Sequence, residues 1–173
     1  MKLFIFAFFL AVTNSFIQIK KIIIAKDIND INQLSYRTDL KGVNLIFDKN
    51  SKISLLPFYL FQQMKNHYNM IYNQCSPYDV ELESGIFLLR CNSYENLKLD
   101  PIHLIFEEIG IKILKKYFFI THNEFIFYSK KEQENIIIGK DLMNLMKVNI
   151  TIEKDKELIS IGNKDFIFEL DDI

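Results

Sequence analysis

Apolar and polar positions along the chain fall into short blocks rather than long periodic stretches. Runs rich in Ile and Phe, separated by polar residues or by Gly, Pro and Asn, predict strands. They cover Phe16 to Ala25, Val43 to Phe47, Gly85 to Cys91, Ile102 to Glu107, Ile111 to Leu114 and Phe125 to Tyr128. Further runs cover Asn135 to Ile138, Val148 to Glu153 and Leu158 to Ile161, with Phe166 to Leu170 as a last strand. Two segments carry helical spacing instead. Pro57 opens the first, a position that suits its fixed φ, and Phe58, Phe61 and Met64/Tyr68 recur along one side. The second, Lys140 to Met146, sets Leu142, Leu145 and Met146 together. The expected fold class is all-β with two short helices, as a sandwich, a barrel or a more complex β fold. There is no internal repeat or long Gly/Ser/Pro linker, so one domain is expected.

The N-terminus breaks this pattern. Met1-Lys2 precedes an uninterrupted apolar run from Leu3 to Val12, followed by Thr13-Asn14-Ser15. A basic start, an apolar stretch of this length and a small-residue exit have the layout of a cleaved signal peptide over residues 1–15. The run is too short for a membrane span, which needs about 20 apolar residues. The other reading of the same run is a buried first strand. With the leader removed, residues 16–173 form a domain in the secretory pathway, secreted or lumenal, with no membrane attachment.

Composition and charge narrow the function classes. The formal net charge is −1, so there is no electrostatic case for a nucleic-acid partner or an anionic membrane surface. Lys20-Lys21 and Lys115-Lys116 are only pairs at the ends of apolar runs. The two cysteines, Cys75 and Cys91, read as a disulfide in an oxidising compartment. Closing a loop of about 15 residues contributes on the order of 3 kcal/mol in the chain-entropy model. Zinc takes four ligands, and His67, His103 and His122 are not ligand-spaced with the cysteines, so no metal or other cofactor is expected. Asn149-Ile150-Thr151 fits the N-glycosylation sequon.

The most informative stretch is Val43-Asn44-Leu45-Ile46-Phe47-Asp48-Lys49-Asn50-Ser51, then Lys52-Ile53-Ser54-Leu55-Leu56-Pro57 and the first helix. An apolar strand delivers one Asp into a polar turn, and a short apolar stretch then leads through Pro into a helix. This resembles the active-site loop of the pepsin-like aspartic peptidases, where Asp-Thr-Gly-Thr/Ser-Ser follows a strand. The downstream order is similar too. Cys75 and Cys91 sit where lobes of that family often carry a cysteine pair. Cys91, Leu97 and Pro101 lead into the apolar run Ile102-His103-Leu104-Ile105-Phe106. Asn135-Ile136-Ile137-Ile138-Gly139 resembles the apolar-apolar-Gly strand that crosses beneath the catalytic loop. The helix from Lys140 and the final strand pair resemble the family's closing helix and hairpin.

The resemblance covers nearly all of residues 16–173, the length of one C-terminal-type lobe. It implies that Asp48 takes the catalytic position, with Ser51 as its supporting hydroxyl and Gly139 in the strand beneath. The loop departs from the family at Lys49, where Thr or Ser is usual, and at Asn50, where Gly is usual. The implied chemistry also needs two carboxylates sharing a proton and a water, because only a coupled pair divides into an acid and a base. One lobe supplies one. The chain is therefore expected to resemble an aspartic endopeptidase lobe that is inactive alone or depends on a second lobe, either a homodimer mate or a separate chain. An extended peptide would be its substrate or ligand. From the local residues alone, Asp48 also reads as a turn residue bonding its own backbone. The rival function is a secreted, non-enzymatic β-domain that binds peptide or protein partners, for example by adding a strand to an exposed edge. A Cys–His nucleophile is disfavoured because paired cysteines in a secreted chain are bridged, and no nucleophile elbow or phosphate loop is present.

Overall fold

The computed structural model describes residues 8–12, 16–30, 32, 34–68, 75–80, 85–91, 99–107, 109–119, 123–154 and 156–169. The fold is all-β with two short helices and no closed barrel. Among the described residues fifteen strands, numbered in chain order, form three sheets.

The largest sheet has seven strands in the order β2 (Phe16–Gln18), β5 (Asn44–Phe47), β12 (Ile136–Ile138), β6 (Ser54–Pro57), β11 (Phe127–Lys130), β8 (Ile86–Cys91), β7 (Cys75–Val80). The second has five, in the order β15 (Ile167–Glu169), β10 (Ile109–Ile113), β9 (Ile102–Ile105), β3 (Lys21–Ala25), β4 (Leu34–Asp39), all antiparallel. The third sets β14 (Lys156–Ile161) between β1 (Phe8–Val12) and β13 (Val148–Glu153).

One apolar core joins the two larger sheets. Ile22, Ile24, Ile102, Leu104, Ile111 and Ile113 enter it from the five-stranded sheet, and Leu45, Leu56, Phe127, Ile136 and Ile138 from the seven-stranded one. The alternation of inward and outward positions on β5 and β12 follows from the two-residue period of a strand.

Helix α1 (Phe58–His67) starts directly after β6, with Pro57 as its N-cap. It buries Leu60, Phe61 and Met64. The expected stripe began at Phe58, but that ring lies half-exposed against Phe87, 5.1 Å between centroids, and Leu60 takes the inward place. Helix α2 (Lys140–Met146) matches the expected bounds and ends on Lys147 in the left-handed region (φ 54°).

The segment Phe16 to Ala25 is two strands rather than one, because Ile19 turns its N–H to the carbonyl of Val43, just before β5, and Lys20 turns its own to Ile105 on β9. β4, β6 and β7 were not expected, since each carries polar residues or a Pro. Phe8–Val12, within the expected leader, pairs antiparallel with β14, Leu10 opposite Ile159. This is the geometry of the strand reading of that run.

Candidate functional site

β5 and β6 do not pair with each other. β12 runs between them, parallel to β5 and antiparallel to β6. Ile136, Ile137 and Ile138 face Leu45, Ile46 and Phe47, and Ile137 also faces Leu55. A continuous Ile run suits a strand flanked on both edges. The chain between β5 and β6, residues 48–53, is therefore a loop thrown over the end of β12.

Asp48 stands at the head of that loop, half-buried. Its N–H donates to the Ile138 carbonyl (3.0 Å), which extends the β5–β12 ladder by one bond. Its Oδ1 accepts from the Asn50 N–H (2.9 Å), and the Ser51 N–H donates to the Asp48 carbonyl (3.2 Å). This is the local bonding that makes Asp a turn residue. Oδ2 makes no hydrogen bond among the described residues.

The Ser51 hydroxyl donates to the Ile53 carbonyl (2.7 Å) and so braces the loop rather than the carboxylate. Asn50 needs no left-handed backbone. Among the described residues positive φ outside glycine falls only at Asn123, Lys147 and Lys154, so Asn50 takes its place in the turn without backbone strain.

Gly139 closes the arrangement from below. The Ser54 hydroxyl accepts from its N–H (2.9 Å), and a Cβ at this position would lie 2.2 Å from the Ile53 carbonyl oxygen. Only a residue without a side chain allows the loop backbone to approach this closely. The next two residues continue the contact, Lys140 N–H to the Ser51 carbonyl (2.8 Å) and Asp141 N–H to the Lys52 carbonyl (3.3 Å). Asp48, Ser51 and Gly139, named from the sequence, thus share one turn-on-strand unit.

Sequence reasoning missed Ser54. It sits 2% exposed in a segment read only as a short apolar stretch, yet its hydroxyl holds Gly139. A lone Ser among Ile53, Leu55 and Leu56 was the available signal.

Beside the loop lies an open recess of about 360 Å³, lined by Lys49, Lys140, Met143, Asn144, Val148, Asn149 and Ile150. Asn149 of the sequon is exposed there. A smaller recess of about 20 Å³, room for one water, lies among Ser54, Glu124, Tyr128 and Asp141. Glu124 bonds both Arg90 (2.9 Å) and the Tyr128 hydroxyl. Burial first, then Glu124, pushes the Tyr128 hydroxyl well above the usual phenol range. This cluster ties β8 to β11.

Cys75 and Cys91 stand opposite each other in the β7–β8 register. The Cys91 N–H points away from β7, to the Asn123 carbonyl (2.8 Å), so the two form a non-hydrogen-bonded pair. Such pairs hold Cα atoms about 4.5 Å apart, within the range a disulfide spans.

Of the histidines, His122 lies outside the described residues, and His67 packs tilted against Tyr36 and edge-on to Tyr68. His103 is buried on β9. Among the described residues no group of His, Cys, Asp and Glu is arranged to hold a metal ion. No helix among them is long and apolar enough to cross a membrane. The chain matches no protein-family model and no curated protein sequence.

Proposed function

We infer that this chain is a single-carboxylate lobe resembling half of a pepsin-like aspartic peptidase. In this reading it holds an extended peptide and hydrolyses it only when a second lobe supplies the partner aspartate. The observation that carries the reading is the threading of β12 between β5 and β6, with the Asp48 turn seated on Ile138 and Gly139. It supports the feature of the resemblance that depends on tertiary structure rather than on residue order.

The chemistry follows from the carboxylate. Asp48 offers a free Oδ2 at the end of a rigid strand. Beside a second such group, one member ionises and activates water as a base while the other keeps a proton for the leaving amine. A lone lobe has no second member and cannot divide the roles. Lys49 at the turn, in place of a bracing hydroxyl, favours the non-enzymatic alternative, a secreted or lumenal module that binds peptide or protein partners.

The test is cleavage of an unfolded protein substrate in mildly acidic buffer by wild type and Asp48→Ala, with the oligomeric state measured in the same buffer. A peptidase dependent on a second lobe loses all cleavage in the variant and cleaves only where a dimer is present. Absence of cleavage by folded protein in a dimer-containing sample rejects the homodimeric enzyme and leaves the binding module or a lobe completed by a separate chain.

A further inference from the structure

Open sheet edges are sites where another chain adds a strand, and proteins blunt the edges they do not use with charge, Pro or brevity. Most edges here are blunted. β4 carries Arg37 and Asp39, β7 carries Pro77 and Asp79, and β2 and β15 have three residues each. β13 is different. Like β1 on the other side of β14, it is an outer strand without Pro or an internal charge; it has six residues and keeps its only charged residue, Glu153, at its end, and it borders the larger recess.

The register says which backbone groups are presented. The Gly162 N–H bonds the Lys147 carbonyl (3.0 Å), and Asn149 faces Ser160. By alternation Val148, Ile150 and Ile152 turn their N–H and C=O groups away from β14. Ile152 is also 78% exposed, an apolar side chain left at this edge. The same strand forms one wall of the 360 Å³ recess, where Lys49 from the Asp48 loop and Lys140 from the start of α2 converge on Val148 and Ile150. Among the described residues no acidic side chain lines it.

The geometry points to β13 as a docking edge for an extended peptide that carries an acidic side chain into this recess. Main-chain bonds to Val148, Ile150 and Ile152 hold the peptide as an added strand. Lys49 and Lys140 select a carboxylate on it, while Met143 and Val148 receive the aliphatic part of a Glu side chain. The inference specifies the peptide-binding half of the reading above and stands without the peptidase half, since neither Asp48 nor a second lobe takes part.

The test is fluorescence anisotropy with a labelled seven-residue peptide of alternating Val and Thr bearing one central Glu, against its Gln twin. The Glu peptide is expected to bind saturably and roughly threefold to fivefold more tightly than the twin, the size an exposed ion pair supplies. Lys49→Gln with Lys140→Gln is expected to erase that preference. Ile150→Pro is expected to abolish binding with the thermal melt retained, because it removes an N–H that no strand among the described residues uses. Should the Pro variant fail to fold, the double Lys variant decides alone. Equal binding of the twins, a preference that survives the double Lys variant, or a concentration-dependent dimer that excludes the peptide overturns the inference, the last by naming a second copy as the occupant. Loss of peptide cleavage does not touch it, because the readout is binding.

Discussion

At the residue scale the tightest constraint is Gly139. A Cβ there meets the Ile53 carbonyl carbon at 2.5 Å and the Ser51 carbonyl oxygen at 2.9 Å, both main-chain atoms that cannot rotate aside. Gly139→Ala should therefore push the 48–53 loop off β12 and cost about 2–3 kcal/mol, read as a lower urea midpoint. His103 makes the opposite kind of contribution. Its ring is 3% exposed, packs edge-on to Phe168 at 5.0 Å, and lies 3.3 Å from the Ile23 carbonyl. Burial lowers its pKa from the usual 6.5 to about 4. The folded chain binds fewer protons at this site than the unfolded chain between those values, so stability is full above pH 6.5 and falls as pH drops towards 4. Denaturant melts at pH 7.5 and 5 should differ by about 2 kcal/mol from this group, and His103→Gln should flatten the difference. An acid assay of peptidase activity therefore needs a parallel check that the chain is folded.

At the element scale, the β7–β8 pair carries the cysteine question. Their non-hydrogen-bonded register leads us to expect a Cys75–Cys91 bridge in protein made in an oxidising compartment. Intact mass before and after reduction checks it, with an expected gain of two hydrogens. Reduction should cost on the order of 3 kcal/mol in a thermal or urea melt. Helix α1 was legible because Pro57 marks its start and Phe61, Met64 and Tyr68 recur along its buried side, with Tyr68 capping its end. The Tyr68 hydroxyl donates to the Asp100 carbonyl (2.7 Å), and burial, then Asp100, holds its pKa well above the usual value. β4 was not legible, because Arg37, Thr38 and Asp39 pattern like a loop. Its place comes from pairing with β3, which supplies the hydrogen bonds that its own composition does not advertise.

At the scale of the whole molecule, three sheets divide the work. The seven-stranded and five-stranded sheets share one core. The five-stranded sheet has a second, smaller apolar patch on its other face, where Ile23, Ala25 and Ile105 meet Phe168. The third sheet holds both the β13 edge and β1, the segment that also reads as a leader. Removal of residues 1–15 would uncover the other edge of β14 and leave β13–β14 as a hairpin, so the maturation of the N-terminus bears directly on which edge a partner strand meets.

The sequence by itself determined the fold class and the bounds of α2 and β13, whereas the grouping of Asp48, Ser51 and Gly139 was expected only from the resemblance. The fold class and those bounds follow from local rules, strand and helix period and turn chemistry, which neighbours in sequence obey wherever they end up. The tertiary structure alone decided that β12 passes between β5 and β6, that the Ser51 hydroxyl braces Ile53 instead of Asp48, and that Lys49, Lys140 and β13 share one recess. The reason is separation along the chain. Strand order, hydroxyl partners and converging side chains depend on residues tens of positions apart, whose meeting is set by core packing that no local pattern records.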